Sequence, residues 1–182
     1  KDNYQLIMQY RGVAVHPEVD MAIEDIVNES IDVSENNMSV DINLDKVQVG
    51  DNIKKQIKEE FDNIYGMLNF NEYGHDIFRR WYIDGRLYHH LVVDESNLKQ
   101  GIKEIRPIDA SKMRKVKQVR TKTDQQTGAK LIENVDEYYI YQDKPGAQNS
   151  GVKMTDDSIS YVTSGLLNED RKKVVSYLHK SL

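Results

Sequence analysis

The sequence predicts an α+β fold. Amphipathic N-terminal helices pack on an antiparallel or mixed sheet of short strands, and a C-terminal helix closes the chain. Three observations carry this. Apolar residues recur at helical spacing up to about residue 84. From Gly85 the period drops to two, in short runs rich in Val, Ile and Tyr that are separated by turn residues. The helices precede the strands instead of alternating with them, which is the order of an α+β chain and not of a βαβ chain. A single domain over 1–182 is expected, helical to about 84, sheet from about 85 to 164, and helical again at about 169–182.

Each element has its own signal. Tyr4, Ile7, Met8 and Arg11 are spaced for a short first helix, which Gly12 is expected to end. Pro17 opens a second helix, PEVDMAIEDIVNESI, where its missing N–H is not needed. Glu18 and Asp20 suit the positive end of that helix dipole. Val19, Ala22, Ile23, Ile26, Val27 and Ile31 form its apolar stripe. SENNMSVDINLDK reads as a turn and a short strand, with Val40, Ile42 and Leu44 alternating. Asp51 is expected to cap a long helix whose apolar face is Ile53, Ile57, Phe61, Ile64, Tyr65 and Leu68. Another amphipathic helix follows at about 72–84. RLYHHLVVD, GIKEIRPI, MRKVKQVRTKT and DEYYIYQ then read as strands, with turns at DESNLKQG and TDQQTG. KPGAQNSG reads as a loop, SISYVTSG as a last strand, and RKKVVSYLHKSL as a last helix.

The composition narrows the function classes. Hydrophobic residues make up 38% of the 182 and charged residues 30%, and mean hydropathy is −0.69. Such a chain folds around a modest core and leaves apolar surface for a partner. No apolar run reaches the eighteen or so residues of a membrane span. The opening KDNYQLIMQYRG lacks both an initiator methionine and the apolar run of a signal peptide. A piece of a longer protein is therefore expected. The absence of cysteine removes disulfides, thiolate nucleophiles and cysteine zinc sites. Charge is segregated. Residues 1–77 hold 6 basic and 16 acidic residues, 78–130 hold 13 and 6, and 131–182 hold 6 and 8. Segregation of this kind suits oriented docking against a partner or another copy.

FRRWYIDGRLYHHLVVD, residues 78–94, gathers side chains that could make an active site. On a strand, however, His89 and His90 point to opposite faces and cannot readily chelate one metal. Arg79 and Arg80 lie on the polar side of a helix whose other face holds Ile77, Phe78, Trp81 and Tyr82, and Asp76 is placed for an i, i+4 pair with Arg80. Phe78, Trp81, Leu87 and Leu91 are expected as core anchors. In KMRKVKQVRTK, residues Arg114, Val116, Gln118 and Arg120 share one strand face, and Met113, Lys115, Lys117 and Val119 the other. Charge on both faces implies an exposed hairpin or edge strand. Arg79, Arg80, Arg114, Lys115, Lys117 and Arg120 are thus the candidate contacts, to another subunit or to a DNA backbone. Asp94, Glu104 and Asp109 with Lys103 lie near strand ends but match no nuclease spacing. No phosphate-binding, nucleophile-elbow or zincin motif is present. No catalytic residue, metal ligand or cofactor is expected.

DIFRRWYIDGRLYHHLVVD, then GIKEIRPIDASKMRKV, DEYYIY, YVTSGLL and SYLHK, resemble in order and spacing the portal vertex protein of T-even-type tailed bacteriophages. The DASKM turn departs from that pattern in lacking a proline, and the loop at 143–152 is variable. The resemblance implies a non-enzymatic subunit of a dodecameric ring at one vertex of the phage head, assembled in the host bacterial cytoplasm and retained in the virion. Double-stranded DNA enters and leaves through the ring. Its implied partners are copies of itself, the major capsid protein, and terminase and neck proteins, the last two mainly through regions outside this fragment. The chain is expected to be the larger part of the wing region. A nucleic-acid-binding module using strand 112–122 is the alternative.

Overall fold

The computed structural model describes residues 2–31, 38–123, 130–143 and 151–182. The α+β class is borne out. Four helices come first: α1 (Asn3–Ala14), α2 (Pro17–Ser30), α3 (Asp51–Met67) and α4 (Phe70–Asp84). Six strands follow: β1 (Arg86–Val93), β2 (Ile102–Ile108), β3 (Met113–Thr123), β4 (Lys130–Tyr141), β5 (Val152–Thr155) and β6 (Ile159–Thr163). The strands form two three-stranded antiparallel sheets, ordered β2-β1-β6 and β3-β4-β5, and no parallel pair occurs among the described residues. The chain divides into two compact units, residues 1–9 with 86–163, and residues 10–85 with 164–182.

In the first unit both sheets face one core. Ile7, Tyr88, Ala110, Met113, Tyr139 and Ile159 are buried there, with Ile108, Tyr141, Met154 and Tyr161 packed around them. Tyrosine fills this core because a large ring can span between two small sheets. Tyr88 stacks on Tyr161 at 4.7 Å and meets Tyr139 edge-on at 5.9 Å, both favourable ring arrangements.

The second unit is helical. Ile23 and Val27, one turn apart on the α2 stripe, are fully buried, as are Tyr10 and Ala14 of α1. Arg11 grips Asp84 with two hydrogen bonds, Nε–Oδ1 at 2.9 Å and Nη2–Oδ2 at 2.7 Å. Asp84 is buried, so this fork supplies a geometry suited to a desolvated carboxylate. Tyr177 stacks on Tyr82 at 4.8 Å, and Ser176 Oγ donates to the Tyr82 carbonyl at 3.1 Å.

Several expectations need correction. The final helix at about 169–182 does not form; only a 3₁₀ segment, Tyr177–Ser181, is present. Asn168 Oδ1 accepts from the backbone N–H groups of Lys172 and Lys173, and Leu167 bridges Val174. Those side-chain bonds capture the donors that a helix needs. The short strand at Val40–Leu44 is absent too. Its alternation is real, but the backbone there is held by Asx-type bonds, Asp41 to Ile42 N and Asn43 to Asp45 N. Gly12 does not end α1, which runs on to Ala14. Asp51 is the first residue inside α3, and Gly50 is its cap. Sequence reading missed β5, whose Val152 and Met154 alternate but follow directly on KPGAQNSG, a run that reads as a loop. The turns expected at SENN and TDQQTG and the loop KPGAQNSG fall largely outside the described residues.

Candidate interaction surface

Strand β3 is an edge, paired along its length only with β4. The antiparallel register decides what its cations meet. Lys117 lies directly opposite Glu137 and Lys115 opposite Tyr139. The Lys115 ammonium is therefore 2.7 Å from Glu137, 3.6 Å from Asp156 and 5.5 Å from the Tyr139 ring centre. Lys117 reaches the other Glu137 oxygen at 3.3 Å, and Arg120 reaches Asp136 at 3.0 Å. The hydrogen bond to Glu137 holds the Lys115 ammonium charged above its usual range. The same bond, reinforced by Lys117, holds the Glu137 carboxyl below its usual range.

The helix candidates are likewise engaged. Arg79 bridges Asp20 and Glu24, tying α4 to α2. Arg80 makes the expected i, i+4 pair with Asp76 at 3.0 Å. Five of the six candidate cations thus have carboxylate partners within the chain. Arg114, opposite Ile140 and exposed, is the one with no ion pair among the described residues.

The expected core anchors are half-buried. Phe78 packs on Trp81 at 5.4 Å, and Trp81 on Tyr177 at 5.3 Å. The Trp81 indole N–H is buried and has no acceptor among the described residues. Leu87 and Leu91 flank the fully buried Tyr88 on the opposite face of β1. His89 is buried and His90 half-buried, and they face apart. Burial alone holds the His89 imidazole below its usual pKa.

The carboxylates near strand ends are separately occupied. Lys103 binds Asp94 at 2.6 Å, Arg106 binds Glu104 at 2.7 Å, and Asp109 accepts from Ser111 N at 2.8 Å. Among the described residues no group of three or more His, Asp or Glu gathers to hold a metal ion. A cleft of about 490 Å³ opens beside His90, Arg106, Lys112, Tyr141 and Met154. Its cations are already paired, Arg106 with Glu104 and Lys112 with Asp143. Among the described residues no helix is long and apolar enough to cross a membrane.

Sequence reading missed an apolar feature. Val119 lies directly opposite Val135, and Thr121 opposite Ile132 beyond a bulge. All three apolar side chains are exposed. They lie on the ribbon face that buries Met113 and Tyr139 at its other end. The signal was present as period-two alternation, but the charges between hid it.

Comparison with known proteins supplies the class. A portal protein of Vibrio phage KVP40 is 32% identical over 190 residues, covering 98% of this chain and 36% of the relative. A portal protein of Salmonella phage ViI is 34% identical over 137 residues, covering 75% of this chain and 24% of the relative. The family described as Bacteriophage T4-like portal protein (Gp20) matches residues 3–182, and the chain belongs to that family. It spans about a third or less of the length of these curated relatives.

Proposed function

We propose that the chain is the wing-region part of a phage head portal subunit, which closes into a dodecameric ring with copies of itself and meets the major capsid protein. The full protein then forms the vertex channel through which double-stranded DNA is packaged and ejected. Contacts to terminase and neck proteins fall mainly on regions outside this chain. The observation that carries the reading is the family match over residues 3–182. The surface is consistent with a structural role, since exposed apolar side chains stand beside carboxylates and cations already held in internal pairs. Pairing also weakens the nucleic-acid alternative, because five of the six candidate cations would have to give up a carboxylate before meeting phosphate.

Electron microscopy of the full-length protein tests this reading. Closed rings are expected, incorporated into heads. A protein that stays monomeric at micromolar concentration, or heads that assemble normally without it, would overturn the proposal. Charge reversal at Arg114, Lys115 and Lys117 is expected to impair ring assembly or head attachment.

A further inference from the structure

The register of the β3-β4-β5 sheet sorts its cations by face. One face turns Met113, Tyr139 and Met154 into the core, and its lysines, Lys115 and Lys117, are held by Glu137. The other face points away from that core. There Arg114, Ile140 and Lys153 stand in one row across the three strands, and Val116, Tyr138 and Thr155 in the next. Arg114 and Lys153 are exposed, and neither has an ion pair among the described residues. They flank Ile140 at two strand spacings, roughly 10 Å apart. Lys122, also without an ion pair among the described residues, is on the same face but eight residues further along β3, roughly 26 Å away. Among the described residues Asp136 is the one carboxylate on this face, and Arg120 holds it at 3.0 Å.

The middle of this face is apolar. Ile140, Val116 and Tyr138 are half-buried, so part of each stays open to a partner. The Lys153 ammonium lies 4.1 Å from the centre of the Tyr138 ring. That contact holds the cation down over the face, so less side-chain freedom is lost when it binds. Arg114 brings a planar fork of donors suited to a carboxylate. The phosphates of a nucleic acid fit less well. Lys153 covers the one aromatic ring on this face that could stack a base, and aliphatic Ile140 and Val116 offer a sugar-phosphate chain nothing. Duplex binding draws on many phosphate contacts made together, and this face offers a close pair of cations and one distant lysine.

We propose that the outer face of the β3-β4-β5 sheet docks a carboxylate-bearing polypeptide surface of another subunit in the assembled head. Two acidic side chains of the partner meet Arg114 and Lys153, and an aliphatic one between them lands on Ile140 and Val116. The inference rests on the portal reading for where the partner is met, and on the face itself for what the partner is. It also separates two roles within the basic run. Lys115, Lys117 and Arg120 are engaged inside the sheet, whereas Arg114 works with Lys153, a residue outside the run. The two free cations orient the partner, and the aliphatic contact between them adds strength as it loses water.

A carbodiimide tests this, because it joins an amine to a carboxylate only where the two already touch. Heads assembled with full-length protein, part of it labelled with heavy isotopes to tell links between copies from links within one, are treated and the joined peptides are read by mass spectrometry. The Lys115–Glu137 pair, at 2.7 Å, is the internal control that the reagent has reached the sheet. An isopeptide bond from Lys153 to an acidic residue of another polypeptide is expected. Arg114→Gln should lower its yield several-fold and leave the Lys115–Glu137 link unchanged, while Lys122→Gln should change neither. A Lys153 that stays unlinked while Lys115 joins Glu137 overturns the proposal, and so does a Lys153 joined only within its own chain. Binding of a labelled DNA duplex by the purified full-length protein, lost in Arg114→Gln with Lys153→Gln, overturns it as well, because phosphate is then the ligand. A protein that never enters heads overturns the portal reading, and the same chemistry on the purified full-length protein then decides the docking: a Lys153 link between copies upholds it and none overturns it.

Discussion

Gly85 sits where α4 ends and β1 begins, and its replacement by alanine should be among the most damaging small changes in the chain. Its φ is +70°, in the left-handed region. Its N–H donates to the Trp81 carbonyl at 2.8 Å, and its carbonyl accepts from Ser164 N at 2.8 Å. A Cβ there would lie 2.7 Å from the Val175 carbonyl oxygen and 2.8 Å from both the N and Cα of Ser176. These are backbone atoms, so no side-chain rotation relieves the clash. The left-handed conformation alone costs alanine about 1–2 kcal/mol. Shifting Val175–Ser176 endangers the bonds Ser164 Oγ to Val175 O (2.6 Å) and Ser176 Oγ to Tyr82 O (3.1 Å). Each such bond contributes about 1 kcal/mol. The total for Gly85→Ala is therefore about 3–4 kcal/mol. Gly12→Ala is the internal control, since that glycine is inside α1 with nothing within 4 Å of the added carbon. It should stabilise by about 0.5–1 kcal/mol. Urea unfolding followed by the fluorescence of the single tryptophan, Trp81, reads the helical unit directly. A Gly85→Ala protein within about 1 kcal/mol of the parent, well short of the expected loss, would refute the reasoning.

Tyr88→Ala removes a side chain that is 2% exposed and touches two other core rings, and should cost about 3–5 kcal/mol, read as lost amide protection across β1 and β4. Arg79→Met separates α4 from Asp20 and Glu24 and should cost about 1–2 kcal/mol, whereas Arg80→Ala, with its exposed pair, should stay within about 0.5 kcal/mol by urea unfolding. Burial lowers the His89 pKa from its ordinary 6.5, so the unfolded chain takes up a proton more readily than the folded one. The associated stability is complete above 6.5 and falls as pH drops below it. His89→Asn should flatten that part of the pH profile, and an NMR titration midpoint for His89 at or above the ordinary value would contradict the burial account.

The α2 stripe was legible because Ile23 and Val27 recur one turn apart and both are buried. The period change at Gly85 was equally plain, since glycine ends α4 in a conformation that few residues adopt. The final helix was misread for a local reason. RKKVVSYL has passable helix spacing, but Asn168 upstream binds the backbone of Lys172 and Lys173 and fixes a turn. Val40, Ile42 and Leu44 alternate as a strand does, yet alternation provides no pairing partner. Division into two sheets was beyond reach, because which strand pairs with β1 depends on contacts between residues about seventy positions apart.

Charge was where sequence reading went furthest and needed the most revision. A net excess of positive residues between 78 and 130 suggested a basic surface waiting for an acidic one. Linear charge, however, says nothing about register. Antiparallel pairing sets Lys117 against Glu137 and brings Arg120 to Asp136, so carboxylates from the following segment pair with Lys115, Lys117 and Arg120, three of the five cations of β3. Exposed pairs of this kind contribute little to stability and little net attraction for a distant partner. What the same register leaves uncovered is Val119 opposite Val135 with Ile132 beyond them. Burying that strip against another copy gains free energy in proportion to its apolar area, whatever the salt concentration. Ring assembly through the ribbon should therefore tolerate salt that abolishes a purely ionic contact, and should fail when Ile132 and Val135 are both replaced by serine. Rings of the double-serine protein that survive dilution as well as the parent would show that the strip is mere surface.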